Sequence, residues 1–336
     1  MLALQQDAPQ QPAVLREIAT PQPGPGEVLV RLHAAALNHR DIWIQKGQYA
    51  GLKFPSTLGA DGSGEIAALG EGVSGVAVGD AVIIYPGVEW GTDPKVQGRD
   101  FRVRGMPDPG TFAEYMVVPA SYVRPRPAHL DWLPAAALPL AGLTAYRAAF
   151  VRAQLQPGER VLVTGVGGGV ALVAAQLCAA AGAEVWVTSG DDDKLARALA
   201  LPLGLRGGIN YKADNWVKSL TQQAGGAFDV IIDSAAGDAF GALLDAAAPG
   251  GRIVFFGGTL GNIAPLPPAK IFWKQLSILG SSMGSEADFD AMLALVNEHQ
   301  LVPVVDRAFP LAEGEAALRY LEAGQQLGKV GLTIAA

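Results

Sequence analysis

The chain has 336 residues, of which 42 are glycine, 23 proline and one cysteine; 17% are charged and 50% hydrophobic. That length suits about two domains, and the low charge with high apolar content excludes an intrinsically disordered chain. One cysteine excludes an intramolecular disulfide and a cysteine-rich metal site, and a net charge of −7 argues against a nucleic-acid-binding or anionic-membrane surface.

The N-terminus, Met1-Leu2-Ala3-Leu4-Gln5-Gln6-Asp7, has no basic segment leading into an apolar core, so it does not read as a signal peptide. A reducing, cytoplasmic setting is expected. Up to Pro125 the chain shows short β-like runs, clearest at 27–33, 81–85 and 112–118. Turn signals such as Pro23-Gly24-Pro25-Gly26 and Gly79-Asp80 separate them, which predicts a small β-barrel or sandwich. Residues 86–110 lack periodicity and read as a long functional or mobile loop.

After about Asp131 the pattern changes. Strand candidates at 161–164, 184–188, 207–210, 229–233, 252–256 and 276–279 follow one another, with helix candidates at 170–181, 191–201 and 214–223 between the early ones. Apolar strands alternating with helices predict βαβ units and a parallel sheet covered on both faces. The alanines at 246–248 read as helical. The tail shows two more helix candidates, 286–298 and 312–323, and a closing strand at 329–334. The uncharged stretch 161–183 is long enough to span a bilayer, but Gly165 and Gly167-Gly168-Gly169 break its start. A buried strand, a turn and a buried helix explain it better, so no membrane span is expected.

Thr164-Gly165-Val166-Gly167-Gly168-Gly169-Val170-Ala171 is the strongest local signal. A strand ends, glycines let the backbone turn and approach a pyrophosphate, and a helix N-terminus follows with free N–H groups. The strict G-x-G-x-x-G spacing fails at Val170, whereas Gly165, Gly168 and Ala171 fit. Gly169 and Val170 belong to the same loop. The next strand ends Val187-Thr188-Ser189-Gly190, where an NAD site would usually place an acid for the ribose hydroxyls. Ser189 with Lys194 leaves room and positive charge for a 2′-phosphate, and Tyr211 follows the third strand. Asp191-Asp192-Asp193 would repel that phosphate unless they cap the following helix. NADP is expected over NAD.

These residues, with Ala36-Leu37-Asn38-His39-Arg40-Asp41, Gly59-Ala60-Asp61-Gly62-Ser63-Gly64, Gly142-Leu143-Thr144-Ala145-Tyr146, Gly250-Gly251-Arg252-Ile253-Val254 and Gly328-Lys329-Val330, resemble the medium-chain dehydrogenase/reductase superfamily nearly end to end. The resemblance implies an α/β protein with a GroES-like β-barrel domain, 1–123 together with 284–336. A Rossmann domain, 124–283, is set within it, with the cofactor in the cleft between the two. It further implies that Thr144, Gly257, Ser281 and Lys329 lie at the cofactor, and that the chain forms a homodimer through the sheet edge near 276–280.

The same resemblance divides zinc-dependent alcohol dehydrogenases from zinc-free quinone or enoyl reductases. Where the former carry a cysteine, a histidine and a second cysteine, this chain has Asn38, Ala60 and Leu140, and the 86–110 loop has no cysteine. No metal is expected. Asn38, Asp41, Trp43 and Tyr49 resemble the zinc-free pattern. The expected chemistry is hydride transfer to a quinone or conjugated carbonyl, with Asn38 and Tyr49 as donors to the substrate oxygen. Solvent is the alternative proton source, and Asp41 is expected to bond loop backbone. An alcohol dehydrogenase and a non-catalytic NADP-binding protein remain alternatives.

Overall fold

A computed structural model of the chain describes residues 1–334. Its backbone contacts form two units: Met1–Ala141, Gly284–Leu293 and the tail from Val302 make the first, and Gly142–Met283 with Ala294–Leu301 the second. The first stretch carries strands β1 (Leu2–Gln6), β2 (Val14–Glu17), β3 (Glu27–Ala36), β4 (Ser56–Thr57), β5 (Asp61–Leu69), β6 (Ala81–Ile84), β7 (Gly87–Val88), β8 (Arg102–Val103), β9 (Tyr115–Pro119) and β10 (Val123–Pro125). The second unit carries β11 (Arg160–Val163), β12 (Glu184–Ser189), β13 (Leu205–Asn210), β14 (Phe228–Asp233), β15 (Ala247–Phe255) and β16 (Ser277–Gly280). The tail returns β17 (Val305–Pro310) and β18 (Lys329–Thr333) to the first unit.

The main sheet of the first unit runs β10-β6-β5-β3-β18-β17, with β9 also on β3. β3 is its spine. Alternate residues Val28, Val30 and Leu32 enter a core with Leu4, Leu58, Ile66 and Phe112, as a half-buried strand of period two should. Along one side β3 pairs with β5, ending at Ala36 opposite Asp61. Along the other it pairs first with β9 and then with β18, where Ala36 lies opposite Gly331. The pairing extends one residue further, because Leu37 N–H bonds the Val330 carbonyl at 2.9 Å. Register alone therefore brings the first residues of β5 and β18 to the residue after Leu37.

The second unit is a parallel sheet in the order β13-β12-β11-β14-β15-β16. Val161, Leu162 and Val163 in β11 and Val230, Ile231 and Ile232 in β14 are buried, as expected of strands covered on both faces. Strand order reverses between β11 and β14, which makes their C-terminal ends the switch point where such sheets bind ligands.

Several expectations need correction. The alanines at 246–248 do not continue a helix: Gly241–Ala246 ends there and Ala247 begins β15, paired with Phe228. Pro249 explains this, since it disfavours helical backbone at the residue before it. The 86–110 loop contains the β7–β8 ladder. Residues 124–141 pack with the first unit: β10 pairs with β6, and Ser63 Oγ bonds the Trp132 carbonyl at 2.5 Å. Strands β1, β2 and β5 and the helix Pro268–Lys274 were not read from sequence. Among the described residues no helix is long and apolar enough to cross a membrane.

Candidate active site

The junction prepared by β3, β5 and β18 holds three buried polar side chains: Asn38, Asp61 and Lys329, exposed by 8, 0 and 4%. Lys329 Nζ donates to Leu37 O at 2.8 Å, to Asn38 Oδ1 at 2.7 Å and to Asp61 Oδ2 at 2.9 Å. Asn38 Nδ2 donates to the same Asp61 oxygen at 2.9 Å. The other Asp61 oxygen accepts Leu140 N–H at 2.7 Å. Every charge in this ring is paired and hydrogen-bonded, the condition under which burying ions is tolerated.

Asn38 is the N-cap residue of the helix His39–Gln45, and its side chain joins the ring. Asp41 instead bonds backbone, as expected, accepting Asn38 N–H at 2.8 Å. Burial pushes the Asp41 carboxyl up to about 6, against the opposing pull of Arg40, this N–H bond and Lys329. Arg40 reaches outward. Its guanidinium donates to the carbonyls of Arg104 at 2.6 Å and Val103 at 3.2 Å, and to the Tyr49 hydroxyl at 3.2 Å. It also lies over the Tyr49 ring, 4.7 Å from the centroid. Tyr49 is thus held between the core and a cation, with Leu52 and Phe54 packed on the same core.

In the second unit the glycine turn after β11 takes the expected shape. Gly165 has φ +66°, a left-handed conformation that favours glycine. The helix Gly169–Ala180 starts with Gly168 at its cap, which has no side chain to bond the first N–H groups. A Cβ at Gly257 would lie 2.3 Å from the Ser234 carbonyl, so close packing against that backbone requires glycine, and among the described residues the buried Ser281 Oγ has no hydrogen-bond partner. Thr144 is buried, its hydroxyl 4.0 Å from Met283 sulfur. Between the ends of β11, β12 and β14 lies a cavity of about 100 Å³, with Tyr211, Trp216, Phe240 and Leu260 in its wall.

At the tip of β12, Ser189 Oγ accepts Asp191 N–H at 3.2 Å. Asp191 caps the next helix by accepting Lys194 N–H at 2.9 Å, and Asp192 accepts from Asn210 at 2.9 Å. Two of the three acids therefore serve local structure. A Cβ on Gly190 would meet Tyr211 Oη at 2.5 Å and Lys212 Cε at 3.1 Å, so Ser189, Tyr211 and Lys212 converge there.

The structure thus gathers Asn38 with Lys329, and Ser189 with Tyr211. Lys329, expected at the cofactor, donates its three ammonium protons to acceptors inside the first unit. Sequence reading missed Arg40, Asp61 and Lys212 as site residues; the one available signal for Lys212 was its place directly after Tyr211. His39 is exposed, and among the described residues no group of three or more His, Cys, Asp or Glu side chains is arranged to hold a metal ion.

Residues 24–128 match the family described as the alcohol dehydrogenase GroES-like domain, and residues 169–298 the family described as zinc-binding dehydrogenase. The chain is 35% identical to the zinc-type alcohol dehydrogenase-like protein YogA of Leptosphaeria maculans, over 96% of this chain and 95% of that one. It is 30% identical to the quinone oxidoreductase of Rattus norvegicus, over 96 and 94%. The crystal structure of an NAD-dependent alcohol dehydrogenase superposes with a TM-score of 0.94 at 38% identity, covering 100% of both chains.

Proposed function

This chain belongs to the medium-chain dehydrogenase/reductase superfamily of oxidoreductases, and within it we propose a zinc-independent, NADPH-dependent reductase of quinones or α,β-unsaturated carbonyl compounds. The observation that carries this reading is the Asn38–Asp61–Lys329 ring. The positions where relatives with zinc would carry ligands hold Asn38, Ala60 and Leu140, and an ammonium already pairs with the Asp61 carboxylate beside them. A dication there would face that positive charge at short range.

A bound nicotinamide supplies the hydride. The chain's own residues do the rest. The bare N–H groups at Gly169 and Val170, with Gly165 and Gly168 leaving the approach open, would hold the pyrophosphate, and Thr144, Gly257 and Ser281 would border the nicotinamide. Ser189, Lys194 and Tyr211, joined by Lys212, would receive a 2′-phosphate. Reduction places negative charge on the substrate oxygen, and a fixed hydrogen-bond donor stabilises it. Asn38 offers its amide N–H for this. Tyr49 offers a phenolic proton, its oxygen already accepting from Arg40. The protein would work as a cytoplasmic homodimer, with the β16 edge as its interface.

A second reading, an NAD-dependent alcohol dehydrogenase, is favoured by the likeness to the 38% identical NAD-dependent enzyme. One experiment separates them: titrate the purified protein with NADPH and NADH, measure its zinc content, then screen quinones, enones and alcohols with the preferred cofactor. Preference for NADPH, absence of stoichiometric zinc and turnover of quinones or enones are expected. NADH preference with bound zinc and alcohol oxidation would establish the second reading.

A further inference from the structure

We propose that Lys329 and Asp61 are positioning residues that fix the orientation of the Asn38 amide and sharpen it as a hydrogen-bond donor. This rests on the reading that Asn38 donates to the substrate oxygen. A side-chain amide has an oxygen end and a nitrogen end of nearly equal shape, and only its neighbours decide which way it points. Here they leave no choice. The Lys329 ammonium can only donate, so the end 2.7 Å from it is Oδ1. The Asp61 carboxylate can only accept, so the end 2.9 Å from it is Nδ2. Turning the amide over would set NH2 against NH3+ and C=O against a carboxylate, both inside a buried site.

With that orientation, every proton of the ring has an acceptor except one. Lys329 gives its three to Leu37, Asn38 and Asp61, and Asn38 gives one of its two to Asp61. The second Asn38 amide hydrogen makes no hydrogen bond among the described residues. The ammonium on Oδ1 draws electron density through the amide and strengthens the remaining N–H as a donor, by the polarisation that runs through hydrogen-bond chains. The ring is a preorganised positive end aimed through a neutral group. It does without a metal part of what a Lewis acid does, which is to stabilise oxygen charge.

Removing one charge alone would leave the other buried and unpaired. The test therefore uses the neutral double variant Asp61→Asn/Lys329→Met, whose new amide can still accept Leu140 N–H and can donate to Asn38 Oδ1, reversing the orientation. Asn38→Ala and the triple variant complete the cycle. Rates are read with NADPH and 2-cyclohexen-1-one, NADPH affinity by fluorescence, folding by thermal melts, and Asn38 side-chain amide exchange by NMR without cofactor. We expect Asn38→Ala and the double variant each to lower kcat about 10- to 100-fold, and the triple variant to be no slower than Asn38→Ala. NADPH affinity should change less than about threefold. One Asn38 amide hydrogen should exchange slowly in the parent protein and fast in the double variant. Additive losses, or unchanged amide exchange, would overturn the positioning role while leaving Asn38 as donor. A tenfold loss of NADPH affinity confined to variants lacking Lys329 would make it a cofactor ligand instead. Full activity of Asn38→Ala would remove the parent reading and this one together.

Discussion

Arg40 holds Tyr49 twice, by a hydrogen bond from Nε to the phenol oxygen at 3.2 Å and by lying over its ring at 4.7 Å. The hydrogen bond uses a lone pair on the phenol and leaves its proton free for another acceptor. The same guanidinium would favour the negative oxygen that proton transfer from Tyr49 would leave. Tyr49→Phe is therefore expected to lower kcat about 100-fold with enones, the scale of a lost general acid. Arg40→Lys keeps the charge but loses the planar fork whose separate nitrogens reach Tyr49, Arg104 and Val103, and should lower kcat about tenfold. Steady-state rates in H2O and D2O check both. An unchanged rate for Tyr49→Phe would leave solvent as the proton source.

Asp41 provides a pH signature. Burial raises its carboxyl to about 6 from the ordinary 3.8, with Asp61 adding to the rise and Arg40, the Asn38 N–H and Lys329 opposing it. The folded state then binds this proton more tightly than the unfolded chain does. Its contribution is fully favourable below pH 3.8 and is lost as pH rises through about 6. Asp41→Asn removes the titration while keeping an acceptor for Asn38 N–H. The stability of the parent relative to this variant should fall by about 3 kcal/mol across that window and stay flat above it. Urea unfolding at a series of pH values measures the difference, and a flat difference throughout would contradict it.

How much of this was legible in the sequence depended on whether the cause was local. The run Asp229–Asp233 reads as a buried strand because its centre, Val230-Ile231-Ile232, is apolar, and Gly165–Gly169 reads as a turn because its glycines favour one. Strand β5 was hidden because it begins Asp61-Gly62-Ser63-Gly64, residues that signal turns when seen without partners. Lys329 was placed at the cofactor by the family resemblance alone. Its ring partners were hidden because the register of β18 against β3 brings together positions nearly 300 apart in sequence. Arg40 was equally illegible, since two of its partners, at Val103 and Arg104, are backbone carbonyls that any sequence would supply.

The tip of β12 predicts cofactor choice. Ser189 is small, neutral and bonded to Asp191 N–H, with Tyr211 and Lys212 beside Gly190. Ser189→Asp keeps an acceptor for that N–H and adds the acid that NAD sites usually carry there. Its charge would repel a 2′-phosphate and accept hydrogen bonds from ribose hydroxyls. NADPH affinity should drop at least tenfold and NADH affinity hold or improve, as read by fluorescence titration. Equal weakening of both cofactors would mean that Ser189 does not face the adenosine ribose.

The edge of the parallel sheet predicts assembly. Among the described residues β16 pairs with β15 on one side only, and such an edge invites a further strand. Next to it in the chain, the helix Pro268–Lys274 exposes Phe272 by 55% and Trp273 by 80%. Large aromatics at that exposure beside an open edge suit the interface of a symmetric dimer, in which the same patch meets its own copy. A charge at the centre of such a patch is repeated across the two-fold axis. Trp273→Glu should convert the protein from dimer to monomer in sedimentation equilibrium at micromolar concentration, with the secondary structure unchanged by circular dichroism. A parent protein that sediments as a monomer, or a variant that stays dimeric, would move the interface elsewhere or remove it.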